Sequence, residues 1–222
     1  MINDILNFIK DNKNYGLPWK AQTLQEKWKD PEVSHIKIDF NIDTNDMYCE
    51  CVALADRFVD HRKGDYAHDG WQGLTLHGIS EDKTEDFNAY GFKTFEDANY
   101  HWTEVSKQTP HIKNFVESLP YEYLKRVRIM KLKAGGYIAP HNDGEGRLMG
   151  PLNFAINQPE DCEMVFENKG LVPFSNGVGF YLDVGRRHCV VNNSNEDRYH
   201  LIIHGRRNND FYNRYDDKKT DK

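Results

Sequence analysis

Residues 123–143 read YLKRVRIMKLKAGGYIAPHND. Up to Lys133 apolar and charged side chains alternate, the period-two signature of a β-strand. The alternation breaks at Gly135-Gly136 and resumes before the run closes on His141 and Asp143. From here to Gly205 strand and turn signals keep succeeding one another. Turn chemistry falls at Gly144 to Gly146, Gln158 to Asp161, Asn168-Lys169-Gly170, Ser175 to Gly179 and Asn192 to Asp197. Several short strands with turns every eight to twelve residues or so predict a sandwich or barrel.

Upstream the chain changes character. Ile2, Ile5, Leu6 and Ile9 recur at helical spacing, which predicts a short amphipathic helix at the start. Ile36, Ile38 and Phe40 alternate as in a strand, and the apolar run that follows, up to Phe58, favours a helix slightly. WQGLTLHGI (71–79) has β character, and the core is placed from there. Residues 80–102 read as loops around one or two short elements. Thr109-Pro110 starts a helix with Ile112, Phe115, Val116 and Leu119 on one face. The expected organisation is a helical and extended flank over 1–70, a mainly β core over 71–205 with helices packed on it, and a polar tail over 206–222 that frays at the surface.

With 29 Lys plus Arg against 35 Asp plus Glu, the net charge is negative and argues against a nucleic-acid binder that works by displacing phosphate counterions. No run approaches the roughly 18 apolar residues of a membrane helix, and the first residues lack the pattern of a secretory signal. A cytoplasmic protein with no membrane partner is expected. Cys49 and Cys51 are too close to bridge comfortably, Cys162 and Cys189 stand alone, and all four are expected as thiols.

His141 and Asp143 are two residues apart at a strand end, so their side chains point to one face. One more ligand is needed, and the best-placed later histidine is His188, just beyond a predicted strand. Two histidines and a carboxylate on one side of an octahedral ion leave three positions open, the arrangement of non-haem iron(II) oxygenases. Arg198 lies ten residues after His188, across a turn of Asn192 to Asp197. If the two segments form a hairpin, Arg198 is displaced from the ligand by roughly 7–13 Å along the neighbouring strand. That distance suits a short dicarboxylic acid held by the metal at one end and by a guanidinium fork at the other. The hairpin requires His188 to lie opposite His200 or Ile202, and not Leu201.

Arg128, Leu132, Gly135 and His141 form R-x-x-x-L-x-x-G-x-x-x-x-x-H, followed by Phe180 and then by Asp183, His188, Asn192 and Arg198 in D-x-x-x-x-H-x-x-x-N-x-x-x-x-x-R. This pattern, spanning about Trp71 to Ile203, resembles the aspartyl/asparaginyl β-hydroxylase family of 2-oxoglutarate-dependent oxygenases, whose branches include hydroxylases of free proline. The resemblance implies a double-stranded β-helix of the jelly-roll, cupin-like kind. It implies iron(II) held by His141, Asp143 and His188, and the distal carboxylate of 2-oxoglutarate held by Arg198. It further implies O2 as co-reactant, succinate and CO2 as products, and an amino-acid substrate, free or within a peptide or protein. Some family members have a small residue where this chain has Asp143, so the chain sits closer to the amino-acid hydroxylases. The animal enzymes that name the family use an Arg and a His for the cosubstrate where this chain has Met149 and Pro151. Asn153 is the candidate replacement.

Other polar residues have competing readings. His200 and His204 share a strand face with Arg198 but lie about 13 Å apart, too far for one metal without a bend; His200 either lines the pocket or packs. Asp183 supports His188 or serves a turn. Arg147 meets a substrate carboxylate or is a solvated loop residue, Arg186-Arg187 attracts anions or is a solvated pair, and Trp71 and Trp102 belong to the core. Two other functions use the same scaffold: a non-redox cupin-like metalloenzyme, which has no need of Arg198, and a non-catalytic jelly-roll binding protein.

Overall fold

The computed structural model describes residues 1–15, 24–62, 67–143 and 149–215. Its strands are β1 (His35–Asp39), β2 (Val59–Asp60), β3 (His68–Gly78), β4 (His101–Trp102), β5 (Tyr121–His141), β6 (Met149–Ala155), β7 (Cys162–Phe166), β8 (Gly170–Leu171), β9 (Val178–Asp183), β10 (His188–Asn192) and β11 (Arg198–Arg207). Helices are α1 (Ile2–Asn12), α2 (Leu24–Lys29), α3 (Asn45–Ala53), α4 (Pro110–Ser118) and α5 (Asn209–Tyr215). The strands follow one another as β1-β9-β6-β11-β5-β10-β7-β8, with β3 on the other edge of β5 and β2 and β4 paired to β3.

The run 123–143 organises all of this. β5 is long enough to serve two sheets: its first part pairs with β11, from Arg207↔Tyr121 to Arg198↔Leu132, and its last part with β10, from Val191↔Tyr137 to His188↔His141. The bend between the parts is built from glycine. Gly135 has φ +72, and a Cβ on Gly136 would lie 2.8 Å from the carbonyl oxygens of Asp69 and Lys133, where no side chain fits. Asn192 pins the opposite chain at the same bend, donating to the carbonyls of Leu132, Lys133 and Glu196. The sheet thus folds over on itself into a double-stranded β-helix.

The expected hairpin between the His188 and Arg198 segments does not form. β10 and β11 lie end to end along one edge of β5, and neither pairs with the other. A strand that crosses from one sheet to the other offers a template to both segments, which local sequence cannot reveal.

Three apolar layers show which way each side chain points. Val127, Ile129, Leu152, Phe154, Tyr199, Leu201 and Ile203 pack against α3, α4 and α5 outside the larger half of the sheet. Ile5 and Ile9 of α1 cover Val165, Cys189 and Val191 outside the smaller half. Between the halves lie Leu132, Ile138, Met164, Phe166, Phe180 and Val190, with Trp71 and Phe174 at their margin. By alternation, Arg126, Arg128, Asn153, His188, Arg198, His200 and His204 share the inner face.

The C-terminal run departs from the sequence reading. Residues 209–215 form the helix α5, with Phe211 fully buried among Tyr121, Tyr181 and Tyr215; the rest of the expected tail, 216–222, lies outside the described residues. α1, the strand at 35–39, the helix at 45–53 and α4 fall where their periodicities predict. The four cysteines are free thiols. No helix among the described residues is long and apolar enough to cross a membrane.

Candidate metal centre and its cavity

His188 and His141 are cross-strand partners, and their ring centroids are 4.4 Å apart. A strictly alternating β5 would not allow this, because Tyr137 and Ala139 face α1 and His141 has the same parity. A β-bulge intervenes: the pairing advances two residues on β10, from His188 to Val190, but three on β5, from His141 to Ile138. The extra residue turns His141 onto the inner face. Asp143 follows two residues later, its backbone N–H donating to the Val184 carbonyl.

One ring nitrogen from each of His141 and His188 and one carboxylate oxygen of Asp143 all lie within 4.8 Å of one another. The histidine rings are oriented by the backbone: Nδ1 of His141 faces the Ala139 carbonyl and Nδ1 of His188 the Arg186 carbonyl, each at 2.8 Å. Donation there leaves Nε2 as a lone pair, the form a metal takes. Nε2 of His141 is 3.5 Å from Asp143 Oδ1. Burial, together with the neighbouring His141, pushes the His188 imidazole down to about 4, so it is neutral at neutral pH. Burial alone would raise the Asp143 carboxyl. Contact with the His141 ring, the adjoining His188 and the Arg62 guanidinium outweigh it and hold the group below the usual carboxylate range. Two imidazoles and a carboxylate are a donor set that fits a divalent iron-type ion.

Asp183 is buried and accepts from Arg186 Nε at 2.9 Å, so it fixes the residue whose carbonyl orients His188. Arg187 pairs with Glu167. Arg147 and the turn at Gly144 to Gly146 lie outside the described residues.

Arg198 is buried on the inner face of β11. Its guanidinium stacks 5.5 Å from the Phe174 ring centroid, reaches His200 Nδ1 at 2.7 Å and donates to Gln158 Oε1 at 3.4 Å. Among the described residues it has no carboxylate partner. Burial, reinforced by Arg198, keeps His200 neutral, well below its usual range, and His200 packs edge-on against Phe174.

A cavity of about 530 Å³ opens from Asp143 and is lined by Asn153, Trp71, His61, Arg128 and His204, among others. Asn153 donates to the Pro151 carbonyl, and its pairing with Ile202 and Phe180 sets it in the wall. Trp71 meets His61 and His68 edge-on. Sequence reasoning missed His61, Arg62 and Arg126 as wall residues. Arg126 had one signal, the charged phase of the β5 alternation, which reads as solvent-facing until the other sheet covers it, while His61 and Arg62, just after β2, lie outside that pattern.

The profile of the aspartyl/asparaginyl β-hydroxylase family matches residues 52–208. The chain belongs to that family. The match begins in α3, ahead of the stretch the sequence motifs cover, and ends just past β11. No curated protein matches the chain. Among solved structures, the viral collagen prolyl hydroxylase of Paramecium Bursaria Chlorella virus-1 is 15% identical, with a TM-score of 0.41 over 77% of this chain and 94% of that one. A prolyl-4-hydroxylase from Pseudomonas putida is 13% identical, with a TM-score of 0.44 over 94% of this chain and 100% of the other. A 2OG-Fe(II) oxygenase-family oxidoreductase from Burkholderia pseudomallei is 11% identical, with a TM-score of 0.44 over 85% and 94%.

Proposed function

We propose that this member of the aspartyl/asparaginyl β-hydroxylase family is an Fe(II)- and 2-oxoglutarate-dependent dioxygenase. It hydroxylates a C–H bond of an amino-acid substrate, free or within a peptide, and releases succinate and CO2. The observation that carries the reading is the convergence of His141, Asp143 and His188, each histidine presenting Nε2 because its Nδ1 is engaged by a backbone carbonyl.

Iron bound there would let O2, the oxidant, take two electrons from 2-oxoglutarate, which leaves as succinate and CO2, and two from the C–H bond, which becomes C–OH. The chain's own residues bind and orient. Arg198, buried and facing only neutral acceptors, holds the distal carboxylate of the cosubstrate, for which a buried guanidinium lacking a counter-ion is a strong partner. Asn153 contributes a neutral donor from the facing strand. The inner apolar layer of Leu132, Phe166, Phe180 and Val190 excludes water from the reacting atoms. The core of this enzyme is residues 71–205. The flank ahead of it supplies His61 and Arg62 to the cavity wall and so shares in choosing the substrate.

The test is O2-dependent succinate release from 2-oxoglutarate by the Fe(II)-loaded chain. Release that disappears in His188→Ala, with a KM for 2-oxoglutarate raised at least tenfold in Arg198→Met, supports the reading. A chain that turns over a substrate with no consumption of 2-oxoglutarate is instead a non-redox metalloenzyme.

A further inference from the structure

Arg126 and Arg128 rise from the inner face of β5, two residues apart, and both line the cavity that Asp143 opens. They are 7% and 6% exposed. Their guanidiniums converge, since Nη1 of Arg128 donates to the Thr84 carbonyl at 2.6 Å and Nη1 of Arg126 reaches the same oxygen at 3.5 Å. Arg128 otherwise meets ring nitrogens, Nε2 of His61 at 3.4 Å and Nε2 of His204 at 3.2 Å. The Nε of each arginine has no hydrogen-bond partner among the described residues, and neither has a carboxylate within ion-pair distance among them.

The acids of the cavity wall are already engaged. Asp86 pairs with Lys125 at 3.0 Å and accepts from Tyr100 at 3.1 Å. Asp143 pairs with Arg62 at 3.1 Å and belongs to the metal triad. Burial, aided by the arginines, keeps His61 and His204 uncharged, so they add acceptors and no positive charge. Two like charges withdrawn from water at one point, without a counter-ion, are strongly unfavourable unless a ligand supplies the missing charge. A structural role alone would be served better by apolar side chains.

We propose that Arg126 and Arg128 form an anion subsite for the substrate, and that the substrate is a small molecule presenting two units of negative charge there, as two carboxylates or one phosphate. The inference deepens the oxygenase reading and rests on it for the word substrate. The cavity volume is that of a small-molecule pocket, and the paired forks suit planar or tetrahedral oxyanions. A monocarboxylic amino acid leaves one guanidinium uncompensated and is disfavoured.

The experiment reads binding to the full, metal-free chain by calorimetry, so it stands whether or not iron chemistry is found. The probes are O-phospho-L-serine and inorganic phosphate in one arm, L-aspartate and L-glutamate in the other, and L-alanine as the monocarboxylic control. Binding in one arm at least tenfold tighter than that of L-alanine is expected, and the arm identifies the anion. Arg126→Gln and Arg128→Gln should each weaken it at least tenfold, Arg126→Lys should restore part of it, and Arg206→Gln, at an exposed arginine paired with Glu122, should leave it unchanged. Thermal unfolding of the unliganded Gln variants should be no lower than that of the parent, which separates lost binding from lost fold. Equal binding of L-alanine, no binding in either arm, survival of binding in both Gln variants, or its loss in Arg206→Gln would overturn the proposal.

Discussion

His188 stands opposite His141 in the β5–β10 ladder, and that pairing exists because β5 carries one residue more than β10 over the same span. The bulge lies at Ala139-Pro140, and Pro140 has no N–H to give to a ladder. The metal site is therefore a product of register as much as of residue type.

Inserting one alanine between Pro140 and His141 should move His141 one position along β5 and send it to the face that Tyr137 occupies. The expected outcome is a chain that keeps its β circular-dichroism spectrum but no longer binds one equivalent of Fe(II) or Co(II), as metal analysis after gel filtration would show. Stoichiometric metal in the insertion variant contradicts the role given to the register.

Much of this could be read in the sequence. The alternation of 123–143, the proline-initiated apolar face of 110–118 and the spacing of His141, Asp143, His188 and Arg198 are local patterns, and local patterns survive without the fold. What could not be read depends on the path of the chain in space. β10 and β11 look like a hairpin because a turn joins them, but β5 outcompetes each as the other's partner over its whole length. Arg126 and Arg128 look solvated because Val127 and Ile129 claim the core-facing phase; the strand is covered on both sides, so the charged phase lines a cavity.

α5 was hidden for a different reason. Its seven residues include one side chain that is buried outright, Phe211, set among polar neighbours that mimic a tail. Phe211→Ala should cost about 3–5 kcal/mol of unfolding free energy, the range for a buried phenylalanine, measured by urea denaturation. A loss under ~1 kcal/mol would mean that α5 contributes little to the core.

Acid should weaken the fold well above the carboxylate range. Burial pushes His35 down to about 4, where it packs against Phe180 and meets Ser34 Oγ. Below its unfolded value of about 6.5 the unfolded chain takes up a proton that the folded chain refuses, so stability is full above that pH and falls progressively toward pH 4. The contribution of His35 is about 3 kcal/mol across that window. The stability difference between the parent and His35→Gln should shrink by about that amount from pH 7 to pH 4, and parallel pH curves would remove His35 from the account.

The central claim is that His141, Asp143 and His188 hold one iron to which 2-oxoglutarate chelates. It is tested most directly by adding Fe(II) and 2-oxoglutarate without oxygen and recording the visible spectrum. The account predicts a metal-to-ligand charge-transfer band that saturates at one iron per chain and is absent from the double variant Asp143→Ala with His188→Ala. No band in the parent, or an undiminished band in the double variant, would contradict it.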